Sequence, residues 1–363
     1  MLQLTAEQIL VVYAGFFVCA ILFSFLINGL FLKFSRTLGV KNQDEEMVRW
    51  SSTSKPAVGG ISFYILFLFS IACYSILFEG VTYINDIVRF LGVMAACSLG
   101  FVVGLADDAY NTKPFLKFFA QFSSAVILIA TGTSINISGI NAIDYPLTVL
   151  WVVGLMNSIN MLDNMDGITT TVSISVILAV LYMLSAKDEA LSIYFITLLG
   201  VLAALLGFLY YNWNPSKIYM GDTGSQFLGV FLAAIGIIYL WNGHAELNFR
   251  IQTKQFIVAL LVFIVPIIDT TTVTINRLLK GQSPFVGGKD HTTHHLSYLG
   301  LSDRQVALSF FGLSFLSVVF LIVIDLVIGK NWDYWHFGLF LAYFLGLFSF
   351  LYGITRVNKD KEA

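Results

Sequence analysis

The sequence predicts an all-α polytopic membrane protein, one bundle of about 11 transmembrane helices with its N-terminus outside and its C-terminus in the cytoplasm. Three observations carry this. Of 363 residues, 57% are hydrophobic and 12% charged, about half the roughly 25% charge of an average globular domain. The mean hydropathy is +0.81, with the apolar residues gathered in runs long enough to span lipid. Lysine and arginine are also distributed unevenly between alternate connections, which orients the chain. The net charge of −2 supplies no basic surface for nucleic acid.

Eleven apolar segments reach, or nearly reach, the length that crosses about 30 Å of hydrocarbon at about 1.5 Å per helical residue. They run 9–33, 59–79, 87–105, 116–132, 145–161, 167–185, 190–210, 224–241, 255–276, 306–328 and 334–354; the fourth and fifth are short. The first contains Asn28 and Lys33 and lacks a small-residue cleavage site, so it reads as a span and not as a signal peptide. Cys19, Cys73 and Cys97 fall inside apolar runs and read as small buried hydrophobes. No soluble domain or repeat interrupts the chain. It reads as one domain, 1–363, with a histidine-containing cytoplasmic loop at 277–305.

With the N-terminus outside, the inner side holds 15 of the 20 lysines and arginines. These are Lys33, Arg36, Lys41, Arg49, Lys55, Lys113, Lys117, Lys217, Arg277, Lys280, Lys289, Arg304, Arg356, Lys359 and Lys361. The outer side keeps Arg89, Lys187, Arg250, Lys254 and Lys330. Every notable polar cluster then falls on the inner face. A secondary transporter places its polar groups near the midplane; gathering them at one face favours an enzyme with a cytosolic substrate.

The richest cluster is NSINMLDNMDG, Asn157–Gly167. Asn157, Asn160, Asn164 and Gly167 step by three, four and three along one helical stripe, and Asp163 and Asp166 are helix neighbours. Carboxylates and amides crowded at a membrane edge need a partner, and a divalent cation with a phosphorylated ligand suits them; a solvated loop is the plainer reading. Asp107 and Asp108 repel unless a cation lies between them, which makes metal ligand plus general base a role for the pair. Lys113, Lys117 and Gln121 follow at four-residue spacing, a stripe suited to phosphate. MGDTGS, Met220–Ser225, opens a span with free backbone N–H groups for an anion and Asp222 for its cation, although a simple cap explains the same residues. Asp269 and Arg277 lie two turns apart on one face, where an internal ion pair competes with ligand binding. The loop beyond holds His291, His294 and His295. The oxygen-rich surroundings and the absence of a nearby cysteine favour a hard ion over zinc, and leave histidines and Lys289 for a pyrophosphate. In KPAVGG, Lys55–Gly60, the glycine pair admits close backbone approach or an ordinary helix start.

Taken together the motifs resemble the polyprenyl-phosphate N-acetylhexosamine-1-phosphate transferases, glycosyl transferase family 4. The resemblance rests on Pro56–Gly60; on Asp107, Asp108 and Asn111; on Lys117 and Gln121; and on Asn157, Asn160, Asp163, Asp166 and Gly167. It continues with MGDTGS, Asp269, Arg277, Ser283–Phe285 and the histidine loop, in the family's order. It implies Mg²⁺-dependent transfer of a sugar 1-phosphate from a UDP-N-acetylhexosamine to undecaprenyl phosphate with release of UMP, Mn²⁺ being an acceptable substitute. It further implies a plasma-membrane enzyme that admits a homodimer. By carry-over Asp222 is the metal ligand, with Asp108 beside it. Asp107 or Asp108 is the base nearest the lipid phosphate, and Asp163 and Asp166 complete the catalytic acids. Lys117, Asn157, Asn160, Asp269, Arg277, His291, His294 and His295 contact substrate. Two departures stand out: the family's DGxDG reads DNMDG, with Asn164 for glycine, and its HxHH reads HTTHH. The absence of three consecutive histidines separates the chain from the branch acting on the muramoyl-pentapeptide precursor, and points to transferases that initiate envelope polysaccharides.

Overall fold

The computed structural model describes residues 5–35, 55–78, 84–187, 189–243, 249–284 and 287–357. Arg36, Lys41, Arg49, Phe285, Lys359 and Lys361, used above, lie outside these residues. Thirteen helices follow in order among them: α1 Ala6–Phe34, α2 Gly59–Leu77, α3 Ile84–Tyr110, α4 Pro114–Ala130, α5 Asn141–Leu162, α6 Ile168–Ala186 and α7 Ile193–Asn212. They continue with α8 Gly221–Gly236, α9 Phe249–Val262, α10 Ile264–Leu279, α11 Thr292–Tyr298, α12 Asp303–Ile322 and α13 Tyr334–Val357. Short π segments, Ile237–Trp241 and Val323–Ile328, extend α8 and α12. No strand forms among the described residues; one isolated bridge joins Ala57 to Tyr219.

Local chemistry sets several helix starts. Thr5 and Ser302 make capping boxes with Gln8 and Gln305, Ser192 caps α7, and Pro114 opens α4, where a missing N–H costs nothing. Among the described residues nine helices are long and apolar enough to span a membrane, or ten with the pair Ile251–Val262 and Ile264–Leu279, bent by 75°, counted as one span. Pro266 accounts for the break, since it has no N–H to give the carbonyl of Val262. The eleventh expected span is α4, which at 17 residues falls short of the roughly 20 needed to cross unaided. The fifth, expected to be short, is 22 residues long.

α8 is the axis of the bundle: 94% of its apolar window is buried, against 22% for α1 and 17% for α13. It reads as hydrophobic all round because other helices surround it. The outer helices expose large apolar side chains such as Leu10, Leu22, Phe115, Phe119, Trp335 and Phe350, the surface of a body immersed in lipid. Cys97 is buried as expected, Cys73 is half-buried, and Cys19 is exposed on α1, which has little of the bundle to pack against.

Close helix approach is built on glycine. A Cβ on Gly60 would lie 2.1 Å from the backbone nitrogen of Gly224, so α2 crosses α8 backbone against backbone. Gly59 and Gly60 also donate to the carbonyls of Tyr219 and Met220, at 3.1 and 3.0 Å. The glycine pair of KPAVGG is therefore a packing device.

Candidate active site

Helix ends gather at one end of the bundle: the C-termini of α3, α5, α7 and α10 and the N-termini of α2, α4, α6, α8 and α12. The hydrogen bonds that connect them define the site, and most of the expected residues lie there.

At its centre, Lys117 of α4 bridges two carboxylates. Its Nζ is 3.1 Å from Asp107 Oδ2 and 2.8 Å from Asp222 Oδ2, and all three side chains are largely shielded from solvent. The other Asp107 oxygen accepts from the backbone N–H of Thr112 at 2.9 Å and from its hydroxyl. Thr112 closes the α3–α4 turn, where Asn111 takes a left-handed φ of 50°, a conformation asparagine tolerates. The other Asp222 oxygen accepts from Asn160 Nδ2, which also donates to Ser225 Oγ at 2.8 Å.

Asp108 faces a different way. Oδ1 accepts from the N–H of Asp222 at 2.9 Å; Oδ2 accepts from the N–H and hydroxyl of Thr223 at 2.8 and 2.6 Å. It caps the first turn of α8 from another helix, where a negative charge is favoured. Gly221 makes this possible: at φ +75°, a Cβ there would lie 2.7 Å from Asp108 Oδ2. The two adjacent acids thus hold different posts, and capping accounts for both Asp108 oxygens.

One helical turn deeper lies a buried amide group. Gln121 Nε2 donates to Gln226 Oε1 at 3.0 Å, and Asn157 Nδ2 donates to Gln121 Oε1 at 2.9 Å. The expected phosphate stripe therefore divides: Lys113 is exposed at the α4 cap, Lys117 is in the site, and Gln121 and Asn157 are tied into the interior.

Asp166 anchors the α7–α8 connection. Ser216 donates its N–H to Oδ2 and its hydroxyl to Oδ1, at 2.9 and 2.7 Å, Asn214 donates at 3.1 Å, and Lys55 stands 3.9 Å away. Asp163 is half-buried at the C-cap of α5, on the same wall.

The histidine loop packs against this wall. Asp269 is fully buried and accepts from the N–H of Thr292 at 2.9 Å and from its hydroxyl, while its other oxygen lies 2.8 Å from His291 Nδ1. Arg277 does not pair with Asp269 as its position two turns on suggested; it clamps Asp290 with two bonds of 2.8 and 2.7 Å and donates to the Pro284 carbonyl. Burial alone raises the Asp290 carboxyl, but the guanidinium outweighs it and leaves it below its ordinary value. His294 is pushed down to about 3 by burial, with His291 beside it, so it is neutral at physiological pH. His291 and His294 meet edge to face, and His295 packs on Tyr298. Thr293 donates to Asn164 Oδ1 at 2.8 Å, 129 residues away. The two departures from the expected motifs are thus one contact: the asparagine replacing glycine holds a threonine of the altered histidine motif.

The hard oxygens of Asp107 and Asp222 around one ammonium match the chemistry a divalent cation needs. Among the described residues no three His, Cys, Asp or Glu groups converge as a ligand set. Sequence reasoning did not foresee that the hydroxyls of Thr112, Thr223 and Thr292 hold Asp107, Asp108 and Asp269; Thr292 lies 23 residues from its acid and Thr223 lies 115, so no local signal pairs them.

The glycosyl transferase family 4 model matches residues 90–240, the stretch containing Asp107, Lys117, Asn160, Asp166 and Asp222. A probable undecaprenyl-phosphate N-acetylglucosaminyl 1-phosphate transferase of Bacillus subtilis is 29% identical, over 81% of this chain and 78% of its own. A phospho-N-acetylmuramoyl-pentapeptide-transferase of Staphylococcus aureus is 30% identical, over 79% and 89%. A decaprenyl-phosphate N-acetylglucosaminephosphotransferase of Mycobacterium leprae is 28% identical, over 70% of each chain.

Proposed function

Since the chain belongs to glycosyl transferase family 4, we propose that it transfers N-acetylhexosamine 1-phosphate, GlcNAc 1-phosphate foremost, from a UDP-sugar to undecaprenyl phosphate, releasing UMP, as the first step of an envelope polysaccharide. The observation that carries this is the Asp107–Lys117–Asp222 bridge at the polar end of the bundle. α4, which supplies the lysine, also exposes Phe115, Phe118, Phe119 and Phe122. A polyprenyl tail can stay in the bilayer along that apolar surface while its phosphate reaches the polar end.

In the reaction an oxygen of the lipid phosphate bonds to the sugar-bearing β-phosphorus of the nucleotide. The bond from that phosphorus to the bridging oxygen breaks, and UMP leaves with the electron pair. Asp107 takes the proton of a monoprotonated lipid phosphate, because Asp108 is committed to capping α8. Lys117 offsets charge on the transferring group, and Asn160 fixes the Asp222 carboxylate. Catalysis of this kind is positioning and charge neutralisation. Asp222 would hold Mg²⁺, or Mn²⁺ in its place, which when bound neutralises pyrophosphate charge. Asp163 and the histidine helix form the far wall, suited to nucleotide and sugar, and the whole site faces the cytoplasm of a bacterial plasma membrane.

Purified protein with UDP-GlcNAc, undecaprenyl phosphate and Mg²⁺ should release UMP, and Asp222→Asn should abolish release. No UMP from any of a panel of UDP-N-acetylhexosamines would sink this reading. The 30% identical relative supports a second one, transfer from the UDP-muramoyl-pentapeptide, and the same assay with that nucleotide decides between them.

A further inference from the structure

Gln121, Asn157 and Gln226 come from three helices and lie one turn below Lys117, Asn160 and Asp222 respectively: four residues on along α4, three back along α5, four on along α8. Gln121 and Gln226 are 1% and 0% exposed. Each amide is bonded to the next, with a second contact from Gln121 Nε2 to Asn157 Oδ1 at 3.3 Å and an anchor from Asn157 Nδ2 to the Val153 carbonyl at 2.9 Å. The chain of bonds ends on Gln226 Nε2, a buried donor with no acceptor in the structure. Such a donor costs stability, and replacing the whole layer by apolar side chains of the same size would remove the cost. Further along α8 the contact with α5 turns apolar where Gly229 meets Met156, so the two helices do not need amides in order to pack. A polar layer retained at a cost is explained by geometry: directional bonds fix the rotation of each helix about its axis, which apolar packing specifies less sharply.

We propose that the Gln121–Asn157–Gln226 layer is a positioning device that sets α4, α5 and α8 in the rotation at which Lys117 bridges Asp107 and Asp222 and Asn160 reaches Asp222. The inference rests on the transfer reaction assigned above only for its kinetic consequence; the placement of Lys117 is testable without it. The resemblance places Asn157 against substrate, but its amide nitrogen is taken up by Gln121 and the Val153 carbonyl, and Gln121 and Gln226 are assigned no bond to substrate. Each acts through the residue one turn above.

The test uses Gln226→Met, which keeps the side-chain length and removes the acceptor, and Gln121→Met, which cuts both interhelical links. Lys117 modification by a water-soluble amine reagent is followed by mass spectrometry in the purified protein, alongside thermal unfolding and steady-state kinetics. The expected result for Gln226→Met is an unfolding temperature close to wild type, because the orphaned Gln226 donor is exchanged for a Gln121 Nε2 that keeps only Asn157 Oδ1, and Lys117 modification several-fold faster. It also includes a kcat lowered by about tenfold to a hundredfold with the KM for nucleotide little changed, the scale of a misplacement near 1 Å. Gln121→Met should show the same labelling change even where its stability falls. Unchanged Lys117 labelling in both variants would overturn the proposal, as would a loss of activity that merely tracks a loss of stability. A wild-type protein that transfers no sugar phosphate, yet shows the labelling contrast, would refute the assigned reaction and uphold the positioning role.

Discussion

Asp107 and Asp108 are neighbours in the chain with the same side chain, yet one faces a lysine and the other the end of a helix. The difference follows from helix geometry: adjacent residues point about 100° apart, so only one can look at Lys117 while the other meets α8. The two acids should therefore respond differently to loss of charge. Asp108→Asn puts an amide where two backbone N–H groups and a hydroxyl need an acceptor, so it should lower the stability of the detergent-solubilised protein by about 1.5–3 kcal/mol, the range for hydrogen bonds to charged groups, along with activity. Asp222→Asn removes a carboxylate from beside Asp107 while Lys117 keeps Asp107, so activity should vanish with stability unchanged or raised. Thermal melts of the two variants check this; equal destabilisation would contradict the division of roles.

Among the elements, the histidine loop is held by charge and hydrogen bonding more than by apolar burial. Its ties include Arg277 to Asp290, Asp269 to His291 and Thr292, and Asn164 to Thr293. Asp290 titrates below its ordinary value when folded, so its contribution is complete above the unfolded value and lost as pH falls through the folded one. His294 works in the same direction: unfolded it takes a proton near 6.5, folded only near 3, so between those values acid favours the unfolded form. Amide hydrogen exchange in α11 should thus speed up as pH drops from 7 toward 4, after correction for intrinsic rates, while α8 stays protected. Asn164→Gly, which removes one tie, should raise α11 exchange severalfold at neutral pH, each lost kcal/mol being about fivefold. A loop whose exchange ignores both changes is held by something else.

At the scale of the whole molecule, the alternation of helix ends creates the site. Each crossing reverses direction, so every second connection returns to the same face, and the bent α9–α10 pair keeps that parity by serving as one crossing. The opposite end is closed by its own contacts, including Tyr13 to the Ala190 carbonyl, Tyr74 to the Leu191 carbonyl and Asn242 to the Ser134 carbonyl. In a background lacking Cys19, Cys73 and Cys97, Asn141→Cys should react with an impermeant thiol reagent on intact cells, and Lys113→Cys only after permeabilisation. The reverse pattern would invert the proposed orientation; equal reactivity would contradict a single α4 crossing.

The sequence by itself determined that this is a helical membrane protein, and it marked the polar clusters that the fold brings to one end, because run length and residue type are local properties. It could not show that Lys117 bridges Asp107 and Asp222, that Arg277 closes on Asp290 and not on Asp269, or that Gln121 turns inward. Those pairings depend on the rotation and crossing of helices whose residues lie as far as 105 apart. Only tertiary packing fixes that rotation, through backbone contacts such as Gly60 on Gly224 and directional bonds between buried amides.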